Sequence, residues 1–383
     1  MNYISELAVQ PPKVRYSIAD NISPAITMAS PLQIYGTVHD VDTKKLATDI
    51  SYARTSYPSP CFLSYHPSFK DLLGSKSSLE LIEHRPGDTF AHEAGVYIPS
   101  TNSNYFTSSP QNGSISLYSV SHATNRVSPI TFASVVNANG ACHYANRILF
   151  CSQGDRTTPS ALVLADPATG TSQVLLNSFH GREFNSINDV AVHHPSGAVW
   201  FTDPLYGYMQ DFRPAPQLPV QVYRFVPETG EVCCVADGFA QCNGLCFSPD
   251  YARCYVTDTG AVQAHAGPGG PDAFSVRPGF PATVYVFDVV DGGRRLANRR
   301  VFAYCDNGIP DGIKCDQKGN VYSGCGDGVH VWDENGTLLG KIWVGSVVPN
   351  FNFARDGMWL LAHEKLFFCR LGVKGALAEV EGH

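Results

Sequence analysis

At 383 residues and 41.5 kDa the chain exceeds one small domain and falls short of three, which suits two domains or one large β architecture. Its 27 Lys and Arg against 34 Asp and Glu leave a net charge of −7, which argues against a surface for nucleic acid or for an anionic membrane. The 44% of hydrophobic residues can build a core, and 34 glycines with 26 prolines suit many short strands better than long helices.

No apolar run reaches the roughly 18 residues of a membrane-spanning helix. The N-terminus lacks the basic start and apolar stretch of a secretory signal, so a cytoplasmic setting is expected. The 12 cysteines form no C-x-x-C motif, and Cys246, Cys254 and Cys315 fall inside apolar strand patterns. They read mostly as buried free thiols of a reducing compartment. The sequons at Asn21, Asn112 and Asn335 are then chance matches.

In chain order, residues 1–60 are rich in Pro, Ser and Thr and fit no repeat; they are expected to wrap or cap a domain of residues 61–383. Ser78–His84 alternates like a strand. Pairing it with the last element of the chain would close a ring and remove an exposed edge. One unit then recurs six times. Each copy opens on Glu, Asn or Asp, runs on as an alternating strand, turns, and returns as a second strand. The openings are Glu93, Asn139, Asn188, Asn243, Asp311 and Asn350. Their spacing of roughly 40–70 residues is the length of a four-stranded propeller blade. Second hairpins such as Ala161–Gly170, Gln221–Gly230 and Val329–Gly336 lie between the units; their Asp, Asn and Thr-Gly residues are turn chemistry. The expected fold is all-β, a six-bladed β-propeller with four-stranded blades and a central metal-binding channel. The Gly/Pro-rich stretch 261–281 in the fourth unit reads as a loop shaping a binding mouth or as a tolerated surface insertion.

In a propeller the innermost strands line the channel, so the six opening residues converge near the axis. Two carboxylates among carboxamides are a hard-oxygen set, without the Cys/His pattern of a structural zinc site. Such a set suits Ca²⁺, with Mg²⁺ or another divalent ion as alternatives. The competing reading is that Asn-Gly and Asp-Gly are ordinary turn starts. Other signals are weak. No G-x-S-x-G elbow occurs. His363-Glu364 and His92-Glu93 lack the second histidine of H-E-x-x-H. No helix pattern follows the glycine-rich Gly324–Gly328, and Trp332-Asp333 stands alone rather than in a WD array.

The motifs His92-Glu93, Phe184–Asp189, Trp200–Gly207, Asn243–Asp250 and Ile309–Gly312 resemble those of the SMP-30/gluconolactonase group of calcium-dependent six-bladed propellers. Tyr206–Pro214, Tyr255–Gly260 and Gly324–Trp332 are similar to the fungal lactonohydrolase branch, which opens D-pantolactone and aldonolactones. The resemblance runs from about residue 62 to the C-terminus, and Cys242 stands where the family usually has Pro. It implies Glu93, Asn188, Asn243 and Asp311 as calcium ligands and a small-molecule lactone as substrate. Asn139 and Asn350 take the remaining inner positions and are expected to face substrate or water.

Asp311 is the first candidate for general base, since one carboxylate oxygen can ligate while the other accepts a proton. His92 is the second because it adjoins Glu93, although neighbours on a strand point to opposite faces. His143, on the strand face of Asn139, and Tyr206 are candidates for contacting substrate, against packing roles for both. Three function classes stand. The first is a Ca²⁺-dependent lactone hydrolase. The second is a cyclase, isomerase or pericyclase of the hetero-Diels–Alder type in fungal secondary metabolism, with phosphotriester cleavage possible in the same pocket. The third is a non-catalytic scaffold, against which the buried carboxylates argue. A small polar mouth favours the first, an apolar aromatic-lined mouth the second. The oligomeric state is not fixed by the sequence.

Overall fold

The alternating segments form strands, and most of the strands gather into six small sheets, the blades. The computed structural model describes residues 33–44, 57, 60–264 and 274–377, and shows a six-bladed β-propeller. Blade 1 runs from its inner strand Glu93–Ile98 through Ser103–Thr107 and Leu117–Ser121 to Val127–Ile130. Blades 2, 3 and 4 begin at Ala138–Tyr144, Val190–His193 and Cys242–Phe247. Blades 5 and 6 begin at Ile313–Cys315 and Asn350–Ala354.

Burial falls from the axis outward. In blade 2 the second strand, Arg147–Ser152, is buried almost throughout, and the outermost, Thr171–Leu176, is largely exposed or half-buried. Inner strands are covered on both faces by neighbouring blades, so they read as continuous apolar runs. The core therefore lies between blades. Trp200 and Val222 of blade 3 meet Leu245, Val256 and Phe287 of blade 4. Each such large side chain contributes about 1.5–3 kcal/mol on burial.

Ser78–His84 closes the ring. It pairs antiparallel with Lys365–Arg370, His84 opposite Lys365 and Ser78 opposite Arg370. Blades 5 and 6 are wider than four strands. Cys61–Ser64 pairs with Leu338–Trp343 of blade 5, and Val38–Asp40 adds outside it in parallel. Gln33–Tyr35 adds outside Ser78–His84. Part of the segment read as an arm thus extends two sheets; the rest of residues 1–60, with the Asn21 sequon, lies outside the described residues. Gln33–Tyr35 and Val38–Asp40 are three residues long and largely exposed, so they carry no alternation to read. Within the stretch 261–281, Val262–Ala264 and Phe274–Val276 pair as a hairpin, and residues 265–273 lie outside the described residues. All twelve cysteines are unpaired thiols, most of them buried, with only Cys234 exposed.

Candidate active site and metal centre

The six opening residues come together at one end of the inner strands because adjacent blades approach unusually closely there. A Cβ added to Gly140 would lie 2.5 Å from the Asn188 carbonyl oxygen. One added to Gly244 would lie 2.4 Å from the Asp311 carbonyl oxygen, and one on Gly312 2.4 Å from Asn350 Oδ1. None of these three glycines has a left-handed φ. The Asn-Gly and Asp-Gly pairs are therefore close-approach positions, not turn starts: each glycine makes room for the opening residue of the next blade. At Glu93 the device differs. Ala94 adopts φ 67°, and the register slips between Ala94 and Val96. A bulge of this kind re-aims the neighbouring side chain.

Side chains at the ends of the second strands fix these residues from behind. Thr107, Thr202 and Thr257 each donate through Oγ1 to the carbonyl of the next blade's opening residue. The acceptors are Asn139 at 3.4 Å, Asn243 at 2.7 Å and Asp311 at 3.0 Å. Asp203 accepts the backbone N–H groups of Asn185 and Ser186 at 2.9 and 2.7 Å. Asp258 does the same for Ala240 and Gln241 at 3.0 and 2.9 Å. Each carboxylate clamps the loop that delivers Asn188 or Asn243. Burial pushes Asp203 up to about 7 despite these hydrogen bonds and the nearby Arg213.

Glu93, Asn139, Asn188, Asn243 and Asp311 all line one cavity of about 1030 Å³. Glu93, Asn188 and Asn243 are buried, and Asp311 is half-buried. Asn188 Oδ1 and Asp311 Oδ1 have no hydrogen-bond partner among the described residues. Glu93 Oε2 accepts from Asn350 Nδ2 at 2.6 Å. Burial, reinforced by Asp311, holds Glu93 well above the usual carboxylate range. Burial and Asp189 push Asp311 up to about 7, while Asn243 pulls the other way. Asp189 lies behind the ring, bound by the N–H groups of Val190 and Leu245, and its charge raises the Lys314 ammonium against the cost of burial. Repelling acids, unpartnered carbonyl-type oxygens and two carboxamides fit a hard divalent cation: it would satisfy the orphaned acceptors and relieve the repulsion. They offer nothing to a soft metal.

The structure brings most of the candidate residues together. His92 lines the cavity beside Glu93, because the strand begins only at Glu93 and the left-handed Ala94 breaks the alternation. Tyr206 also lines it, from a short helix Tyr206–Met209, with its hydroxyl bonded to Thr259 Oγ1. Asn350 stands behind Glu93 as its hydrogen-bond donor and is almost fully buried. His143 sits apart. It lines a separate cavity of about 80 Å³ at the far end of the inner strands, with Lys314 and Cys246.

His363 was not among the sequence candidates, yet it lines the large cavity. Its ring centroid is 5.0 Å from that of His92. His92 Nδ1 and His363 Nε2 are buried without hydrogen-bond partners among the described residues. Burial, and for His92 also the neighbouring imidazole, lowers both below the usual histidine value, so both are neutral near pH 7. The repeat carried the signal: Met358–His363 of the sixth unit takes the place of Ala198–Asp203 and Arg253–Asp258, so His363, one residue past its strand Gly357–Ala362, holds the position of Asp203 and Asp258. The lining includes the apolar side chains Met209, Phe212, Val262, Ile309 and Val347 beside the polar Ser109, Gln210 and Asp211. Arg213 follows Phe212 of this lining in the chain. It is buried and donates to the carbonyls of Asp155, Thr158, Phe184 and Asn185 and to Glu183.

Residues 92–266 and 279–362 match the SMP-30/Gluconolactonase/LRE-like region. The chain is 34% identical over 309 residues to the lactonohydrolase oryL of Aspergillus oryzae, covering 75% of this chain and 69% of that protein. It is 27% identical over 379 residues to the lactonohydrolase oryH of the same organism, covering 81% and 80%. Among solved structures it is similar to a gluconolactonase from Xanthomonas campestris, with TM-score 0.65 and 26% identity over 82% of this chain and 95% of that one. With the blades and the ring of opening residues in place, these matches make the chain a member of the SMP-30/gluconolactonase/LRE-like family.

Proposed function

We propose that the protein is a Ca²⁺-dependent lactone hydrolase whose substrate carries an apolar body. The observation that carries this reading is the pair of orphaned oxygens, Asn188 Oδ1 and Asp311 Oδ1, in a cavity that also holds Glu93 and Asn243. These four residues would hold the ion, with Mg²⁺ or another hard divalent cation as substitutes. The bound ion would polarise the lactone carbonyl and favour the charge that develops on its oxygen. The relatives named above, a pair of lactonohydrolases and a gluconolactonase, support the reaction class.

Asp311, His92 and His363 are the candidates to take a proton from the attacking water. The histidine pair suits the task better. A carboxylate beside a bound dication is a weak base, whereas both imidazoles are neutral and each carries a buried nitrogen without a hydrogen-bond partner among the described residues. Asn139 and Tyr206 stand on the wall where substrate polar groups would lie. The apolar side chains of the lining would bind the substrate's body and exclude water from the reacting ester.

The size and lining of the cavity favour a second reading. About 1030 Å³ exceeds what a small aldonolactone fills. A large pocket with apolar side chains is what a ring-forming enzyme needs to fold a reactive chain. Hydrolysis of a lactone panel followed by pH-stat separates the two, with substrates from D-pantolactone and glucono-δ-lactone to long-chain and aryl lactones. Turnover that EGTA abolishes and Ca²⁺ restores, strongest on the bulkier lactones, supports the hydrolase. No turnover by folded, Ca²⁺-loaded protein overturns it in favour of ring formation.

A further inference from the structure

A second cluster of metal-ligating side chains lies behind the cavity wall, outside the ring of oxygens. Cys305 follows the outer strand of blade 4, Arg295–Tyr304, while Cys325 and His330 belong to blade 5. Their relative exposures are 1%, 1% and 0%, and their possible ligand atoms lie within 4.8 Å of one another. Cys325 also faces the large cavity.

The histidine is set up in a specific way. His330 Nε2 is 2.6 Å from Asp327 Oδ1, so the carboxylate fixes the ring proton on Nε2. Nδ1 then carries the lone pair, and it is buried with no hydrogen-bond partner among the described residues. The nearest charged atom to it is Asp306 Oδ1 at 3.4 Å, itself an acceptor. Lys341 Nζ reaches Asp306 at 2.7 Å and Asp327 at 3.3 Å. A carboxylate clamping one imidazole nitrogen while the other stays free is the outer-sphere pattern of metal-ligating histidines.

We propose that Cys305, Cys325 and His330 form a second metal site that takes one Zn²⁺, distinct in chemistry from the hard-oxygen ring. Two sulfurs and one imidazole nitrogen select a soft, tetrahedral ion and discriminate against Ca²⁺. Binding releases two thiol protons to solvent as two Zn–S bonds form. The S–H donations from Cys305 to the Asn307 carbonyl and from Cys325 to the Ser323 carbonyl are then lost. The net charge of the cluster is unchanged, since one dication replaces two protons. The ion would tie blade 4 to blade 5 and pin the segment from Cys305 to Asp311, so it would anchor a ligand of the first site from behind.

The test uses the full chain, reduced and metal-stripped, dialysed against Zn²⁺ in a large excess of Ca²⁺. Thiols are then alkylated and mapped by mass spectrometry, and a parallel sample is loaded with Co²⁺. The expected result is one retained Zn²⁺ per chain, protection of Cys305 and Cys325 from alkylation, and a thiolate-to-cobalt charge-transfer band. Zn²⁺ retention should survive Glu93→Gln and disappear in the Cys305→Ser, Cys325→Ser double variant. Retention of no more Zn²⁺ than the double variant holds, or a cobalt spectrum without the thiolate band, overturns the proposal. So does a Cys305–Cys325 disulfide that re-forms in the presence of Zn²⁺. Should the double variant fail to fold, the cobalt spectrum of the unaltered chain decides the matter. No readout involves lactone turnover, so failure here is distinguishable from failure of the hydrolase reading.

Discussion

Burial and the charge of Asp189 push Asp311 up to about 7, against 3.8 for an unperturbed carboxyl. Between those values the folded, metal-free protein holds a proton that the unfolded chain has released. Metal-free stability therefore falls as pH rises through that window. Cation binding needs the carboxylates ionised, so affinity rises over the same window. Thermal melts of EGTA-treated protein should show a Tm that declines from about pH 5 to about pH 7.5, with a Ca²⁺-induced rise that grows. Asp203, also held at about 7 by burial, and Glu93, held well above the usual carboxylate range, add slopes of the same sign, so Asp311→Asn isolates the share of Asp311. The second prediction concerns the proton acceptor. His363→Ala or His92→Ala should lower kcat by about 10²–10⁴-fold while Ca²⁺ affinity by calorimetry stays unchanged. Unchanged kcat in both variants would return the role to Asp311. The six opening residues were legible because a repeat presents them six times over. His363 was read only against H-E-x-x-H, a local motif, so its register within the repeat went unused. That two oxygens are orphaned is a property of packing, which no spacing encodes.

At the level of strands, the site depends on how closely blades approach. The hypothetical Cβ of Gly244 would lie 2.4 Å from the Asp311 carbonyl oxygen, a backbone atom that has little room to move. Gly244→Ala should cost about 1–3 kcal/mol of stability by overpacking, and it should weaken Ca²⁺ binding by displacing Asp311. Thr202→Val removes the 2.7 Å bond to the Asn243 carbonyl and should cost about 1–3 kcal/mol, because that carbonyl is left buried without its partner. Chemical denaturation measures both. The Asn-Gly pattern was visible in the sequence, but a turn glycine and a close-approach glycine look alike there. Only the neighbouring blade tells them apart. Blade strands were legible from alternation and turn residues. The strands Gln33–Tyr35 and Val38–Asp40 were not, because short exposed edge strands bury too little to impose a pattern.

For the whole molecule, closure decides stability. Ser78–His84 joins the start of the propeller to its end, and Leu79 of that strand is fully buried between blades 5 and 6. A chain beginning at residue 85 leaves Lys365–Arg370 as an open edge and should aggregate rather than melt cooperatively. The number of blades and the closing strand followed from the sextuple repeat and the rule against open edges. The size and apolar lining residues of the cavity did not, because Val262, Ile309 and Val347 come from three separate connections. Calcium binding by the ring is the claim on which the hydrolase reading turns. It is tested most directly by calorimetric titration of Ca²⁺ into EGTA-stripped protein, wild type beside Asp311→Asn. One site in the wild type that the variant loses, with both chains folded, is the predicted result. No heat of binding in the wild type, or an equal affinity in the variant, would contradict it.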